Sequence, residues 1–125
     1  MSYPVSAAPI WQPSAERVAA ANMTAFMRTA GERWGRRFDD YAALHRWSVE
    51  QPQEFWPSLW EFAHVRGEMG QTVVVDGDQM PGAKWFPEAR LNFAQNLLRS
   101  REDNVALTFW GEDKLMRRMG RGDLY

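Results

Sequence analysis

The 125-residue sequence contains no cysteine, carries almost no net charge and has no long apolar run. Without cysteine the chain can form neither a disulfide nor a cysteine-ligated zinc site. This suits a reducing compartment, so we expect a cytoplasmic protein. Fifteen Lys and Arg residues against 16 Asp and Glu residues leave a net charge of -1, which provides no positive field to attract nucleic acid. The apolar stretches fall well short of the roughly 18 residues that a membrane-spanning helix needs. We therefore expect no nucleic-acid partner and no membrane.

The sequence also lacks the motifs of common nucleotide-binding and catalytic sites. Its nine glycines are scattered, and neither a dinucleotide-binding glycine motif nor a P-loop occurs. His45 and His64 lie far apart on different predicted helices, which indicates structural or partly exposed histidines rather than metal ligands. The acidic pairs Asp39–Asp40, Asp76–Asp78 and Glu112–Asp113 fall at predicted helix starts or turns, where carboxylates bond to local backbone. We therefore assign no catalytic, cofactor-binding or metal-ligating residue.

Aromatic residues, in contrast, are abundant, with seven Trp and seven Phe. Such side chains dominate the energetics of cores and interfaces. One cluster admits two interpretations, a buried core or a stacking platform for the ring of a ligand. Core is favoured, because helical spacing explains the rings and no basic run accompanies them. The cluster comprises Trp47, Phe55, Trp56, Trp60, Phe62 and Trp85.

Periodicity and capping residues predict an α+β fold, an N-terminal region of three to four helices followed by a few short strands. Helices are predicted at about 14–34, 39–47, 52–65 and 87–98, with Pro57 bending the third near its start. Strands are predicted at about 72–75, 105–110 and 114–119, and the last two form a C-terminal hairpin. Residues 1–13 are rich in Pro, Ser and Ala and are predicted to form an extended arm. Residues 14–125 are predicted to form one domain.

The final residues are typical of the start of a helix. Gly120 is a tolerable cap, and Asp123 is an acidic first-turn residue followed by Leu124 and Tyr125. A single helical turn is unstable in water, and a two-stranded hairpin leaves its edges unpaired. We therefore expect a chain truncated at Tyr125, a fragment of a larger α/β enzyme, although a frayed C-terminus would give the same letters.

The segment "MPGAKWFPEARLNFAQNLL", Met80–Leu98, places a Trp-Phe pair ahead of a predicted helix. We predict that Trp85 and Phe86 anchor the segment, since a fully buried large apolar side chain contributes about 1.5–3 kcal/mol. Asn92 and Asn96 lie four residues apart, on one face of that helix, and can hydrogen-bond to neighbouring backbone. Solvent exposure is the alternative for both asparagines.

Three segments resemble, in order, the N-terminal region of acetoacetyl-CoA synthetases, which are adenylate-forming enzymes related to acetyl-CoA synthetase. They are "WQPSAERVAAANMTAFM" (Trp11–Met27), "HRWSVEQPQEFWPSLWEF" (His45–Phe62) and the Met80–Leu98 segment. The resemblance implies a whole enzyme, an acid-thiol ligase, that uses ATP and Mg²⁺ to activate acetoacetate as an acyl-adenylate. That enzyme releases pyrophosphate and then transfers the acyl group to coenzyme A (CoA). The family's phosphate loop, adenylate motifs and catalytic lysine are absent from this chain.

The resemblance therefore implies a scaffold portion that holds no cofactor and is inactive alone. Its expected partners are the remainder of the synthetase chain and a second copy that contacts an exposed core or the hairpin edge. A free-standing, aromatic-rich helical interaction or dimerisation module is the alternative. The residues predicted to act as structural docking anchors are Trp47, Phe55, Trp56, Trp60, Trp85, Phe86, Asn92 and Asn96.

Overall fold

A computed structural model describes residue 9, residues 11–100, residue 102 and residues 104–114 and 116–124. Most of the predicted arm at 1–13, and Tyr125, lie outside the described residues. The chain divides into two compact units between Ala63 and His64, a division that the prediction of one domain over 14–125 did not include. Helices in the first unit and short antiparallel strand pairs in the second confirm the α+β class.

The first unit contains four helices in its described part. They are α1 (Ala15–Ala19), α2 (Asn22–Trp34), α3 (Tyr41–Glu50) and α4 (Pro52–Phe62). The side chain of Ser14 accepts a hydrogen bond from the Arg17 amide and caps α1, and Asp40 caps α3 through the Ala43 amide. Gly35 ends α2 in the left-handed conformation, with φ of 61°, where glycine avoids the strain of a β-carbon.

The predicted helix at 14–34 is wrong as a single element, because α1 ends at Ala19 and α2 begins at Asn22. Ala21 is extended, with φ of -72° and ψ of 141°. At this break the Thr24 hydroxyl donates a 2.6 Å hydrogen bond to the Val18 carbonyl. A threonine side chain that satisfies a carbonyl in this way replaces a helical backbone bond.

The other helix boundaries of the first unit differ modestly from the prediction. Helix α3 begins at Tyr41 and ends at Glu50, rather than spanning 39–47. Helix α4 ends at Phe62 instead of residue 65 and continues through Pro57. Proline lacks an amide donor but keeps a helical φ, so packing on neighbouring helices can retain it inside α4.

The core of the first unit joins α2, α3 and α4. Its buried hydrophobic residues are Phe26, Ala30, Leu44 and Trp47, and the side chains packed against them are Met27, Phe38, Phe55, Leu59 and Phe62. The Phe26 ring meets Phe55 edge-on with centroids 5.8 Å apart, and meets Phe62 at 5.2 Å. Edge-to-face packing of this kind adds to the free energy gained from burial.

The described part of the second unit contains three separate antiparallel strand pairs and a short α-helix. Strand β1 (Gly67–Glu68) pairs with β4 (Arg90–Leu91), and β2 (Val74–Val75) pairs with β3 (Lys84–Trp85). Helix α5 (Phe93–Leu97) follows β4, and β5 (Val105–Trp110) pairs with β6 (Met116–Gly120). The last pair is the predicted C-terminal hairpin, which is confirmed. The predicted strand at 72–75 is reduced to the two residues of β2.

The predicted helix at 87–98 is wrong over its first half. Arg90 and Leu91 form β4, paired with β1, and α5 spans only Phe93–Leu97. Asn92 is extended, with φ of -106°, and its side chain accepts a hydrogen bond from the Gln95 amide. The asparagine therefore starts the helix six residues later than predicted, because its side chain supplies the first cap.

The hairpin is followed by a single 3₁₀ turn at Gly122–Leu124. The Asp123 carboxylate accepts a 2.9 Å hydrogen bond from the Gly120 amide. Gly120 and Asp123 therefore lie at the start of a helical turn, as the sequence predicted, although only one 3₁₀ turn is described.

Burial differs sharply between the two units. Within the described residues, every buried side chain belongs to the first unit. The exposed large apolar side chains of the second unit include Met80, Trp85, Leu91, Phe93, Leu97, Val105, Leu107, Phe109, Trp110, Met116 and Met119. None of the helices in the described ranges has the length and apolar character needed to cross a bilayer.

Candidate functional site

The eight predicted anchors fall into two groups, one in each unit. Trp47, Phe55, Trp56 and Trp60 lie on α3 and α4, whereas Trp85, Phe86, Asn92 and Asn96 lie at β3, β4 and α5. We call the first group the tryptophan cluster and the second the asparagine segment. The two groups have different chemistry: rings dominate the first, and side-chain bonds to backbone dominate the second.

Trp47 is the central residue of the tryptophan cluster. It is 4% exposed, and its ring lies 5.6 Å from Phe55 and 5.0 Å from Phe38 between centroids. Its indole Nε1 donates a 2.8 Å hydrogen bond to Oε2 of Glu54. A buried indole needs such a partner, so the tryptophan both fills the core and fixes the start of α4.

Glu54 connects three segments of the first unit. Besides the Trp47 indole, its carboxylate contacts Arg36 at 3.0 Å. The indole hydrogen bond is the main cause that lowers the pKa of Glu54 below its ordinary value, and Arg36 lowers the pKa further. Both contacts favour the charged form, so the carboxylate is ionised at neutral pH.

Ser58 supplies a second polar connection inside the same unit. Its buried hydroxyl accepts a 2.8 Å hydrogen bond from Nε1 of Trp34 and donates to the Glu54 carbonyl. The hydroxyl is therefore satisfied in both roles, as buried polar groups require. It ties α2 to α4.

The other rings of the tryptophan cluster are less enclosed than Trp47. Phe55 is partly buried against the core, and Trp56 meets it edge-on at 5.2 Å between centroids. Trp56 is exposed and Trp60 is half-buried. Trp47 and Phe55 thus stabilise the fold itself, while Trp56 presents aromatic surface to the exterior.

Asn96 organises the asparagine segment. Its Oδ1 accepts a 2.7 Å hydrogen bond from the Arg66 amide, and its Nδ2 donates to the Arg66 carbonyl at 2.7 Å. The same Nδ2 donates to the Asn92 carbonyl at 3.0 Å. A side-chain amide that bonds to both main-chain groups of one residue imitates a neighbouring strand. Asn96 therefore ties α5 to the chain just before β1.

Replacing Asn96 with alanine is expected to release this connection. The change removes both bonds to Arg66, and the lost net stabilisation of about 1–2 kcal/mol should speed exchange of the Arg66 amide by about tenfold. Amide hydrogen exchange measured by NMR checks the prediction. Gln95→Ala is the matched control on the same helix, because its backbone amide still reaches Asn92. Equal Arg66 exchange rates in the two variants would contradict the assignment.

Glu88 provides a comparable connection that the sequence did not reveal. Its carboxylate accepts hydrogen bonds from the Gln71 amide at 2.6 Å, the Thr72 amide at 3.3 Å and the Thr72 hydroxyl at 2.8 Å. Gly70, with φ of 82°, permits this approach, since a β-carbon there would lie 2.7 Å from Cβ of Glu88. The loop before β2 is thereby held against the turn after β3.

The Glu88 bonds predict a pH dependence. The Gln71 amide bond, followed by those from Thr72, lowers the pKa of Glu88 from its ordinary value of 4.5. A carboxyl group whose folded pKa is lowered stabilises the fold above the unfolded pKa, and this contribution disappears as pH falls through the folded pKa. We expect the Gln71 and Thr72 amide chemical shifts to titrate with a midpoint below 4.5. Glu88→Gln should abolish that titration; a midpoint above 4.5 in the native chain would be inconsistent with these bonds.

Neither Trp85 nor Phe86 is fully buried within the described residues of this chain. Trp85 is 44% exposed, although it pairs with Val74 across β2 and β3. Phe86 is half-buried, and its amide donates a 2.8 Å hydrogen bond to the Val73 carbonyl. Two-residue strands form no layer large enough to enclose an indole, so burial of Trp85 as an anchor against further polypeptide stays a prediction.

The chain is similar to known proteins over the region that contains these segments. A family profile described as "Acetyl-coenzyme A synthetase N-terminus" matches residues 41–97. The acetoacetyl-coenzyme A synthetase of Rhizobium meliloti (strain 1021) is 50% identical over 111 residues, which are 89% of this chain and 17% of that protein. The acetoacetyl-CoA synthetase of Macaca fascicularis is 34% identical over 108 residues, which are 84% of this chain and 16% of that protein. The chain belongs to the N-terminal region of the acetoacetyl-CoA synthetase family.

All eight predicted anchors fall between residues 41 and 97, inside the range that the family profile matches. A malonamoyl-CoA synthetase of Penicillium aethiopicum is also similar, at 34% identity over 91 residues, or 71% of this chain and 12% of that protein. Relatives named for different acids therefore share this region. No solved structure matches the chain. A free-standing interaction module is not favoured, because the relatives named here are synthetases.

Side chains that could ligate a metal are dispersed over the described residues. No group of three His, Cys, Asp or Glu side chains converges anywhere in the described ranges. His45 is exposed on α3 and lies against Tyr41, with ring centroids 6.0 Å apart. Mg²⁺ is bound by carboxylates together with substrate phosphates, and the carboxylates described above are already engaged with arginine, indole or backbone groups.

Proposed function

We propose that this chain is the N-terminal scaffold of an acetoacetyl-CoA synthetase and supplies none of the reacting groups. The observation that carries the proposal is the 50% identity over 111 residues to an acetoacetyl-coenzyme A synthetase. The chain spans only 17% of the length of that relative, so the activity of the whole enzyme is part of the proposal.

The whole enzyme would convert ATP, acetoacetate and CoA to AMP, pyrophosphate and acetoacetyl-CoA through an acyl-adenylate, in the cytoplasm. ATP, Mg²⁺ and CoA would be held by polypeptide outside these 125 residues. The contribution of this chain to the enzyme would be structural. The Trp47–Glu54–Arg36 contacts stabilise a helical unit, and Asn96 and Glu88 fix the loops of the second unit.

Two features support a scaffold role for this chain rather than a role in selecting the acid substrate. The exposed apolar side chains of the second unit provide surface for further polypeptide to cover, because burying such surface is the main driving force of association. The similarity to a malonamoyl-CoA synthetase, a relative named for a different acid, supports an acid-selecting pocket that lies elsewhere in the enzyme.

A chimera tests the proposal. The matching N-terminal region of the Rhizobium meliloti synthetase is exchanged for this chain, and acetoacetyl-CoA formation is measured. We expect kcat/KM within about tenfold of that of the parent enzyme, which corresponds to a change in activation free energy of at most about 1.4 kcal/mol. Deletion of the region should abolish soluble, active enzyme, and the isolated chain should release no pyrophosphate. A folded chimera without activity, or turnover by the isolated chain, would overturn the proposal.

A further inference from the structure

The β5–β6 hairpin has apolar side chains on both faces. Residues directly opposite each other across an antiparallel pair point to the same side. One face therefore carries the pairs Leu107–Met119 and Phe109–Arg117, and the other carries Thr108–Arg118 and Trp110–Met116. All eight side chains are exposed, Trp110 at 73%.

This pattern differs from that of a hairpin lying on a protein surface. A surface hairpin has one apolar face packed on the core and one polar face in water, whereas strands covered on both sides are apolar on both faces. Strand β5, "VALTFW", has no charged residue and only one polar residue. The hairpin therefore has the sequence of an internal sheet element.

The two outer edges of the hairpin are chemically different. Strand β6 carries Arg117 and Arg118, and charged residues on an edge strand discourage further pairing. Strand β5 has neither charge nor proline over six residues, which is the composition that favours addition of another strand. The β5 edge is therefore the edge that is open to pairing.

We propose that β5 pairs with an additional strand from the part of an acetoacetyl-CoA synthetase that lies outside this chain, so that β5 becomes internal to a larger sheet and β6 remains at its edge. The inference rests on the proposed function. The Rhizobium meliloti relative supplies that polypeptide, since the matched region is only 17% of its length. The added strand is uncharged along the pairing edge, and the layers covering the two faces each provide a carboxylate, one for Arg117 and one for Arg118.

A second copy of this chain is a poorer occupant of the β5 edge. Antiparallel pairing of two β5 strands in full register would set Val105 opposite Trp110 of the other copy. Continuing that register beyond the strand ends would set Glu102 opposite Asp113. Like charges directly opposite each other are destabilising, and the two-fold symmetry would repeat the conflict at both ends.

Residue-resolved hydrogen exchange tests the inference in the active chimera and in the isolated chain at a concentration where it is monomeric. Alternate amides of β5 point towards β6 or outwards. We expect the outward β5 amides to exchange at least about 100-fold more slowly in the chimera than in the isolated chain. The outward β6 amides should exchange equally fast in both.

An active chimera with fast outward β5 amides would overturn the inference while leaving the proposed function intact. Slow exchange of the outward amides on β6 instead, or of those on β5 already in the monomeric chain, would also overturn it.

An inactive chimera counts against the proposed function, and a second measurement then decides the inference. Thr108→Lys places a charge on β5 and should lower the yield of soluble chimera at least about fivefold, whereas Arg118→Lys, its cross-strand control, should not. Equal soluble yields of the two variants would overturn the choice of edge.

Discussion

Replacing Trp47 with alanine is expected to lower the free energy of unfolding of the first unit by about 3–5 kcal/mol. The indole is 4% exposed and fills the space between α3 and α4 against Phe38 and Phe55. Removing it leaves a cavity in a core that contains few other buried side chains in the described residues. The change also leaves the Glu54 carboxylate without its indole donor. Urea unfolding followed by far-UV circular dichroism measures the effect, because helices in the described chain are concentrated in this unit.

Two further variants separate packing from hydrogen bonding. Trp47→Phe keeps an aromatic ring but loses the Nε1 donor. It should lower the free energy of unfolding by roughly 1–3 kcal/mol, which is less than the cost of the alanine change. Trp11→Ala removes an exposed indole whose ring centroid lies 5.8 Å from the Arg17 guanidinium carbon; it should cost under about 1 kcal/mol. Equal costs for the Trp47→Ala and Trp11→Ala changes would show that Trp47 is not the central core residue.

The parts of the fold that were predictable from sequence depend on local chemistry. Ser14, Gly35 and the Asp39–Asp40 pair mark helix ends because such residues act on backbone groups within a few residues; within the pair, Asp40 rather than Asp39 caps α3. The "VALTFW" strand and the turn after it also form a hairpin through neighbouring residues. Such signals are visible in one sequence, since the interacting groups are close along the chain.

The secondary-structure predictions were wrong where a partner distant in sequence determined the local structure. Leu91 has helical spacing with Leu98, yet it pairs with Gly67 in a strand ladder. Glycine is required at residue 67, because a β-carbon there would lie 2.7 Å from the Arg90 carbonyl oxygen. Nothing near Leu91 in sequence reports that contact. Tertiary pairing therefore overrode a helical pattern.

The candidate site divides in the same way. Asn96 was expected to bond to neighbouring backbone, but its partner Arg66 lies 30 residues away and could not be named. The sequence gives no signal for the role of Glu88, because its partners Gln71 and Thr72 lie on another loop. The sequence predicts Trp47 as an aromatic core residue, but its role as a hydrogen-bond donor depends on the position of Glu54. The residue type therefore predicts which interactions a side chain can form, and only the fold shows which partner it has.

The difference between the two units also bears on how the proposed scaffold works. The first unit has a buried core and polar side chains that are satisfied inside it, which are features of a structure that holds itself together. The described part of the second unit has side-chain clamps and exposed apolar residues instead. Under the proposed function, the second unit would gain most from being covered by the rest of the enzyme, since uncovered apolar surface is where burial contributes.

Replacing Gly31 with alanine is expected to destabilise the first unit by about 1–3 kcal/mol, opposite in sign to the usual effect of this change inside a helix. Gly31 lies in α2, where alanine by itself would stabilise the helix by roughly 0.5–1 kcal/mol. The position is buried, however, and a β-carbon there would lie 2.6 Å from the Arg36 carbonyl oxygen. Because that oxygen belongs to the backbone, it can move only if the turn after α2 moves with it.

Gly35→Ala is the matched control, four residues further along the same helix end. A β-carbon at Gly35 meets nothing within 4 Å, but φ is 61°, so the expected cost of about 1 kcal/mol comes from backbone conformation alone. Urea unfolding gives both free energies, and the Arg36 amide, which donates to the Gly31 carbonyl, reports local distortion by NMR. Gly31→Ala should shift that amide and its neighbours strongly. A stabilised Gly31→Ala variant would show that helix propensity outweighs the close approach, and that the turn carrying Arg36 towards Glu54 is not fixed by this contact.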